Sequence, residues 1–266
     1  MTTPVVTCPV KVVLALPAYN ESANIDPLFE RIAHTRSTVL PNLSVLLYND
    51  GSKDDTKAKA EAWNGRKGLP VRVIGLDENR GLGGALLGLI MDFAGREQGG
   101  QKDAEAMALM DCDDTMDPLQ IPLMWDKLTR ENLDVVIASR YRSGATVTGV
   151  SAYRRLMSYG ARQVFSFAHP IRGVRDYSCG YRLYRRELLE RAVKTWGEQL
   201  VVQRGFASMV EVLLKLGRMG AKMGEIPLIL HYDQKRGASK MPVGDNATRL
   251  LKLMWKWRKE GLEPPK

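Results

Sequence analysis

A chain of 266 residues, with 44% hydrophobic and 26% charged residues, has the composition of an ordinary globular protein and length enough for one large α/β domain or two small ones. Its three cysteines, Cys8, Cys112 and Cys179, are odd in number and far apart, which excludes a disulfide framework and predicts a reducing, cytoplasmic setting. No apolar run approaches the ~20 residues of a membrane span, Met1-Thr-Thr-Pro-Val-Val6 lacks the pattern of a secretory signal, and the net charge of +9 predicts attraction to something anionic: nucleic acid, a nucleotide, a phosphorylated lipid or a membrane surface.

Strand and helix signals alternate along the chain. Val12-Val-Leu-Ala-Leu16 is a continuous apolar run, the pattern of a strand covered on both faces. It runs into Pro17-Ala-Tyr-Asn-Glu21, and helical periodicity follows over about 22–35. A second strand, Val45-Leu-Leu-Tyr48, runs into Asn49-Asp50-Gly51-Ser52-Lys53-Asp54-Asp55-Thr56. Ser52 to Asp55 resembles a capping box for a helix over about 53–63, so Asp54 and Asp55 read as caps. Asp50, at the strand end itself, reads as a ligand contact. Tyr19, Glu21 and Asp50 at neighbouring strand ends are suited to stack on a base and accept its hydrogens. A third strand, Val71-Arg-Val-Ile-Gly75, is followed by Glu78-Asn-Arg-Gly-Leu-Gly-Gly-Ala85, which opens a helix over about 81–96. These glycines miss the G-x-G-x-x-G spacing, because Leu86 stands in the third place; a nicotinamide site is disfavoured. A glycine-rich helix start can still approach a diphosphate closely.

The fourth strand, Ala106-Met-Ala-Leu-Met110, ends in Asp111-Cys-Asp113-Asp114. In open α/β sheets the carboxyl edge is where ligands bind. Asp111 and Asp113, two apart, share one side of the chain, and such hard oxygen ligands suit Mg²⁺ or Mn²⁺ holding a diphosphate. The bland alternative is a solvated loop of capping acids. It fits Asp117, an N-cap before Pro118 and a helix over about 118–131. A fifth strand, Val135-Val-Ile-Ala138, precedes a half with more helix from about Ala152 and one late strand near 225–232. The βαβα rhythm predicts a doubly wound α/β domain with a mostly parallel sheet covered by helices on both faces. A single domain over 1–241 and a C-terminal amphipathic helix and tail over 242–266 is the simplest division. In Asn246 to Lys259, Ala247, Leu250, Leu251, Met254 and Trp257 fall on one side of a helix. Arg249, Lys252, Lys256 and Lys259 lie mainly on the other, so the run either docks on the core or rests on anionic lipid. The histidines His34, His169 and His231 share no metal spacing and read as structural, and Cys112, Cys179 and the methionines read as core.

Taken in order, Pro17-Ala-Tyr-Asn-Glu21, Asp50 to Thr56, Asn79 to Ala85, Asp111-Cys-Asp113 and Ser139-Arg-Tyr141 resemble the motifs of inverting family 2 glycosyltransferases of the GT-A fold. Asp176-Tyr-Ser-Cys-Gly-Tyr-Arg182, Glu225-Ile-Pro227 and Gly237-Ala-Ser-Lys-Met241 extend the resemblance to dolichol-phosphate mannose synthases and related polyprenyl-phosphate glycosyltransferases. The resemblance implies that Pro17, Tyr19, Glu21 and Asp50 surround the base and ribose of a GDP- or UDP-sugar. It implies that Asp111 and Asp113 bind Mg²⁺ or Mn²⁺, and that Arg140 faces the donor phosphates. Arg154 and Ser158, one helical turn apart, resemble the pair that receives an acceptor phosphate. Asp176 is the candidate base if the acceptor is instead a hydroxyl or a carbon nucleophile. The partners implied are a nucleotide sugar, a lipid phosphate and the cytoplasmic face of a membrane, with no nucleic acid. Thr115 stands where the synthases usually carry a metal-assisting Gln, Asp117 where a proline is usual, and Gln234 where an arginine is expected. A basic binding module without catalysis is the reading from another class, and the acidic pair counts against it, because an anion binder gains nothing from carboxylates there. A nucleotidyltransferase would want a glycine-rich, lysine-bearing signature where this chain has Pro17 to Glu21.

Overall fold

The structure, a computed structural model, describes residues 8–95, 103–149, 160, 162–234, 253–259 and 261–263. Strand β1 (Val12–Ala18) lies between β2 (Leu43–Asp50) and β4 (Ala106–Leu109), parallel to both, and β3 (Val71–Leu76) extends the sheet beyond β2. The crossovers are α1 (Ser22–Thr38), α2 (Thr56–Ala62) and α3 (Gly81–Gly95), and α4 (Ile121–Arg130) leads into β5 (Val135–Ser139). After β6 (Thr146–Thr148) and helix α5 (162–168), β7 (Arg182–Arg185) inserts antiparallel between β4 and β5. Helices α6 (Arg186–Trp196) and α7 (Ala207–Arg218) precede β8 (Met223–Pro227), which pairs in parallel with β5. The sheet order is β3-β2-β1-β4-β7-β5-β8, and β9 (Ile229–His231) pairs with β6 in a separate two-stranded sheet. Helix α8 (253–259) is the last helix among the described residues.

The continuous apolar runs behave as the composition requires. Every residue from Val12 to Leu16, from Ala106 to Leu109 and from Val135 to Ser139 is buried, so both faces of the central sheet are covered. Helix α3 packs on β1, β2, α6 and α7, while α4 packs on β5, β7 and β8. The five early strands and four early helices therefore stand where the sequence predicts them.

Three expectations change. First, β7 carries no apolar run, yet it joins the sheet. Its Arg182 is wholly buried and donates to the carbonyls of Tyr177, Cys179 and Met209 at 2.7–2.8 Å, so the charged group is met inside the core. Second, the single late strand is two. Leu228 bridges the sheets, its N–H donating to the Ser139 carbonyl and its own carbonyl accepting from Thr146 N–H, so the chain crosses from one sheet to the other after Pro227. Third, the capping box does not form. Helix α2 starts at Thr56, and Asp55 at its cap makes no side-chain capping bond. Ser52 Oγ instead accepts from Asn20 N–H, while Asp54 accepts from the N–H groups of Thr56 and Ser22. Asp117 caps as expected, accepting from Leu119 N–H at 3.1 Å ahead of the short Pro118–Gln120 turn.

Candidate active site

Because β1, β2, β4 and β5 run the same way, their motif-bearing ends meet at one edge of the sheet. The ends of β1 and β2 are laced together by short backbone-to-side-chain bonds. Lys53 N–H donates to Asn20 Oδ1 at 2.7 Å and Glu21 N–H to Thr56 Oγ1 at 2.8 Å, with Asn20 in the left-handed region at φ 52°. Pro17 is still part of β1, in register with Tyr48, and Glu21 begins α1 with its carboxylate accepting from Asn24 Nδ2 at 2.7 Å. Asp50 closes β2. It is buried, and Oδ1 accepts from Arg80 N–H at 2.8 Å. Burial raises its carboxyl above the usual range, and the Arg80 and Gly81 N–H groups offset only part of that. Pro17, Tyr19, Glu21 and Asp50 thus share the β1/β2 end of one edge.

The glycine-rich start of α3 packs closely on a neighbouring loop. A Cβ on Gly83 would lie 1.7 Å from the Gln203 carbonyl oxygen, and Gly83 N–H donates to the Arg204 carbonyl at 2.8 Å. A Cβ on Gly81 would meet the same Arg204 carbonyl at 2.8 Å. These glycines let helix and loop backbone touch, so Gly81 and Gly83 also serve close packing within the protein. The loop they touch is itself held from below. Glu211 accepts from Val202 and Gln203 N–H at 2.9 Å and pairs with Lys215 at 2.7 Å, both side chains being buried.

At the end of β4, Asp113 Oδ1 accepts from Thr115 Oγ1 at 2.7 Å and from Thr115 N–H at 3.3 Å. These bonds set the side-chain torsion of Asp113. Gly180 faces the other acid of the pair: a Cβ there would sit 3.3 Å from Asp111 Oδ1, so the glycine keeps space open beside the carboxylate. Among the described residues no group of three or more His, Cys, Asp or Glu side chains is arranged to hold an ion. Two carboxylates with room beside them fit Mg²⁺ or Mn²⁺, which keep several waters and take further oxygens from a substrate diphosphate.

Arg140 follows β5 and is held by a buried carboxylate. Its Nε and Nη2 donate to the two carboxylate oxygens of Asp176 at 2.8 and 2.7 Å, and Nη2 also reaches Ser178 Oγ at 2.7 Å. Asp176 has no exposed surface and accepts in addition from Arg140 N–H and Cys179 N–H at 3.0 Å each. Burial alone would raise its carboxyl, but the Arg140 guanidinium and these donors more than offset that and hold it below the usual range. Glu225, also buried, accepts from the N–H groups of Arg175 and Asp176 at 2.6 and 2.7 Å and pairs with Arg142 at 3.0 Å. In the sequence Glu225 stands out only as part of Glu225-Ile-Pro227, although a carboxylate inside an apolar strand is itself a signal of a buried partner. Arg182 and the Glu211–Lys215 pair left no comparable trace. Arg154, Ser158 and the Gly237 to Met241 segment lie outside the described residues.

The seven-stranded, mostly parallel sheet with helices on both faces, carrying its acidic pair and its arginine–carboxylate pair at the carboxyl edge, has the GT-A fold. Glucosyl-3-phosphoglycerate synthase from Mycobacterium tuberculosis, in complex with phosphoglyceric acid, superposes with a TM-score of 0.63 over 97% of this chain and 81% of its own, at 19% identity. The same enzyme in complex with Mn²⁺, uridine diphosphate and glucosyl-3-phosphoglycerate superposes with a TM-score of 0.59, again at 19% identity over 97% and 81% of the two chains. The chain belongs to glycosyl transferase family 2, whose profile matches residues 14–192. Dodecaprenyl-phosphate galacturonate synthase of Rhizobium johnstonii is 28% identical over 91% of this chain and 64% of its own length. Dolichol-phosphate mannosyltransferase of Pyrococcus furiosus is 30% identical over 94% and 65%. Polyprenol monophosphomannose synthase of Mycolicibacterium smegmatis is 27% identical over 93% and 86%. The chain thus spans about two thirds of the length of the first two relatives.

Proposed function

We propose that the protein transfers a hexose, with inversion, from a GDP- or UDP-sugar to a polyprenyl phosphate. Three relatives similar over more than nine tenths of the chain carry names of polyprenyl-phosphate sugar synthases, which supports the acceptor class. The observation that carries the reading is the state of Asp176. A hydroxyl or carbon acceptor needs a general base, and the candidate Asp176 is buried, paired with Arg140, and its carboxylate is engaged by four donors that lower its affinity for a proton. A lipid phosphate arrives already anionic and needs only cationic positioning.

In this reading Pro17, Tyr19, Glu21 and Asp50 surround the base and ribose. Asp111 and Asp113 would hold Mg²⁺ or Mn²⁺, which when bound supplies positive charge against the departing diphosphate. Arg140, kept in place by Asp176, adds a fixed cation at the same edge. Arg154 and Ser158 are proposed to receive the acceptor phosphate. Contact with a membrane follows from the substrate, and helices α5 and α8 offer a surface for it: Phe167 is 80% exposed, Trp255 is 68% exposed, and Arg258 lies beside the Phe167 ring. Trp257 and Met254 are buried, so α8 docks on the core with one face and presents the other. Among the described residues no helix is long and apolar enough to cross a membrane.

The test pairs binding with turnover. Asp113→Asn and metal chelation should each abolish transfer and the Mn²⁺-dependent thermal shift given by GDP- or UDP-sugars, with little change in the ligand-free melting temperature. Normal donor binding and turnover in both would overturn the metal assignment, and turnover with water-soluble alcohols alone would overturn the lipid-phosphate acceptor.

A further inference from the structure

The loop after β4 carries four carboxylates within seven residues, Asp111, Asp113, Asp114 and Asp117. Left to themselves these would repel one another and compete for any cation brought to the loop. The structure divides them. Arg31, from the middle of α1, donates through Nη1 to Asp114 Oδ1 at 2.8 Å and to the Asp114 carbonyl at 3.1 Å, and its Nη2 lies 3.5 Å from Asp117 Oδ1. Asp114 is buried and sits in the left-handed region at φ 61°, a conformation that a non-glycine residue adopts at a cost and that needs outside support. The next residue is Thr115, which fixes Asp113 through its hydroxyl and N–H, while the Thr115 carbonyl accepts from His231 N–H at 2.8 Å. One guanidinium therefore grips the side chain and the backbone of the residue that separates Asp113 from its orienting threonine.

We infer that Arg31 is a positioning residue for the divalent cation. By neutralising Asp114 and Asp117 and holding the left-handed turn, it keeps those two acids out of the cation's surroundings and sets the direction in which Asp113 presents its oxygens. The inference rests on the reading of Asp111 and Asp113 as the cation pair, and it assigns a role to a helix residue that acts through Asp114 and Asp117. Lysine would not reproduce it, because a single ammonium lacks the fork that spans a carboxylate, a carbonyl and a second carboxylate.

The test is Mn²⁺ binding itself, followed by the electron paramagnetic resonance signal of free Mn²⁺ in the presence of UDP or GDP, whichever the wild-type protein binds. Losing a partner behind a metal ligand typically costs about 10- to 100-fold in affinity, and Arg31→Ala should weaken Mn²⁺ by about tenfold or more. Charge alone predicts the opposite sign, since removing a cation and releasing Asp114 would tighten binding; weakening reports lost geometry. Arg31→Lys should fall between, about threefold weaker than wild type, and carries the test if the alanine variant does not fold. Thermal unfolding of each variant without metal separates the affinity change from a loss of fold. Affinity within twofold of wild type, or tighter, in the folded variant would overturn the role of Arg31 while leaving the acidic pair intact. Wild-type protein that takes up no Mn²⁺ with either nucleotide would overturn the cation pair and the positioning role together.

Discussion

Asp176 takes its meaning from its neighbours. As a sequence residue it is a candidate base; in the fold it is a buried acceptor of four hydrogen bonds, two of them from one guanidinium. Its carboxyl lies below the ordinary value of 3.8, so the stability it contributes is complete above that pH and is given up as pH falls through the lower folded value. Removing one partner of a buried pair typically costs about 3–5 kcal/mol, and Arg140 keeps 25% of its side chain exposed, so about 2–3 kcal/mol is expected for Asp176→Asn at pH 7. Urea unfolding at pH 7 and at successively lower pH below 3.8 should show that gap narrowing as the pH falls toward the lower folded value. A gap that does not change with pH would mean that the ion pair is not its source.

At the level of the element, α3 reverses a rule of helix propensity. A glycine inside a helix is usually worth replacing by alanine, for a gain of about 1 kcal/mol. Gly83 occupies such a position, but its missing Cβ is where the Gln203 carbonyl lies, 1.7 Å from the atom that alanine would add. Gly83→Ala should therefore destabilise the protein by about 2 kcal/mol or more, since helix and loop must separate. Gly95, at the end of the same helix, has nothing within 4 Å of its would-be Cβ, and Gly95→Ala should leave stability nearly unchanged. Chemical denaturation of the two variants compares them directly. Equal effects would mean that propensity, and not the contact with residues 203–204, governs the helix start.

For the whole molecule, the net charge of +9 and the exposed pair Phe167 and Trp255 bear on the proposed contact with a lipid surface. These two rings come from helices some ninety residues apart, and Arg258 of α8 links the helices by donating to the Phe167 and Ala168 carbonyls of α5 at 3.4 and 3.1 Å. Cations near an anionic leaflet contribute about 1 kcal/mol each, and aromatic rings suit the interface. Co-sedimentation with liposomes should rise with anionic lipid content and fall with salt. Phe167→Ala with Trp255→Ala should weaken it without lowering nucleotide affinity or the melting temperature, because both side chains face outward. Full-length protein that ignores anionic liposomes at low salt would leave α8 as core packing alone.

What the sequence determined by itself was much of the local order: the apolar runs that become buried parallel strands, the helices between them, the Asp117 cap, and the motifs that follow each strand. Once those strands are parallel, their ends must share an edge, so the grouping of Pro17, Tyr19, Glu21, Asp50, Asp111, Asp113 and Arg140 was legible too. Tertiary structure alone decided what those residues touch. Arg140 reaches Asp176 across thirty-six positions, Arg31 reaches Asp114 across eighty-three, and Gly83 meets the carbonyl of Gln203. Strand β7 hides for a related reason, since Arg182 becomes a core residue only when the Met209 carbonyl from α7 joins those of Tyr177 and Cys179 around it. Periodicity records which face of an element is buried; it holds no information on which distant group will satisfy a charge there, because that pairing is fixed by the packing of elements far apart in the chain.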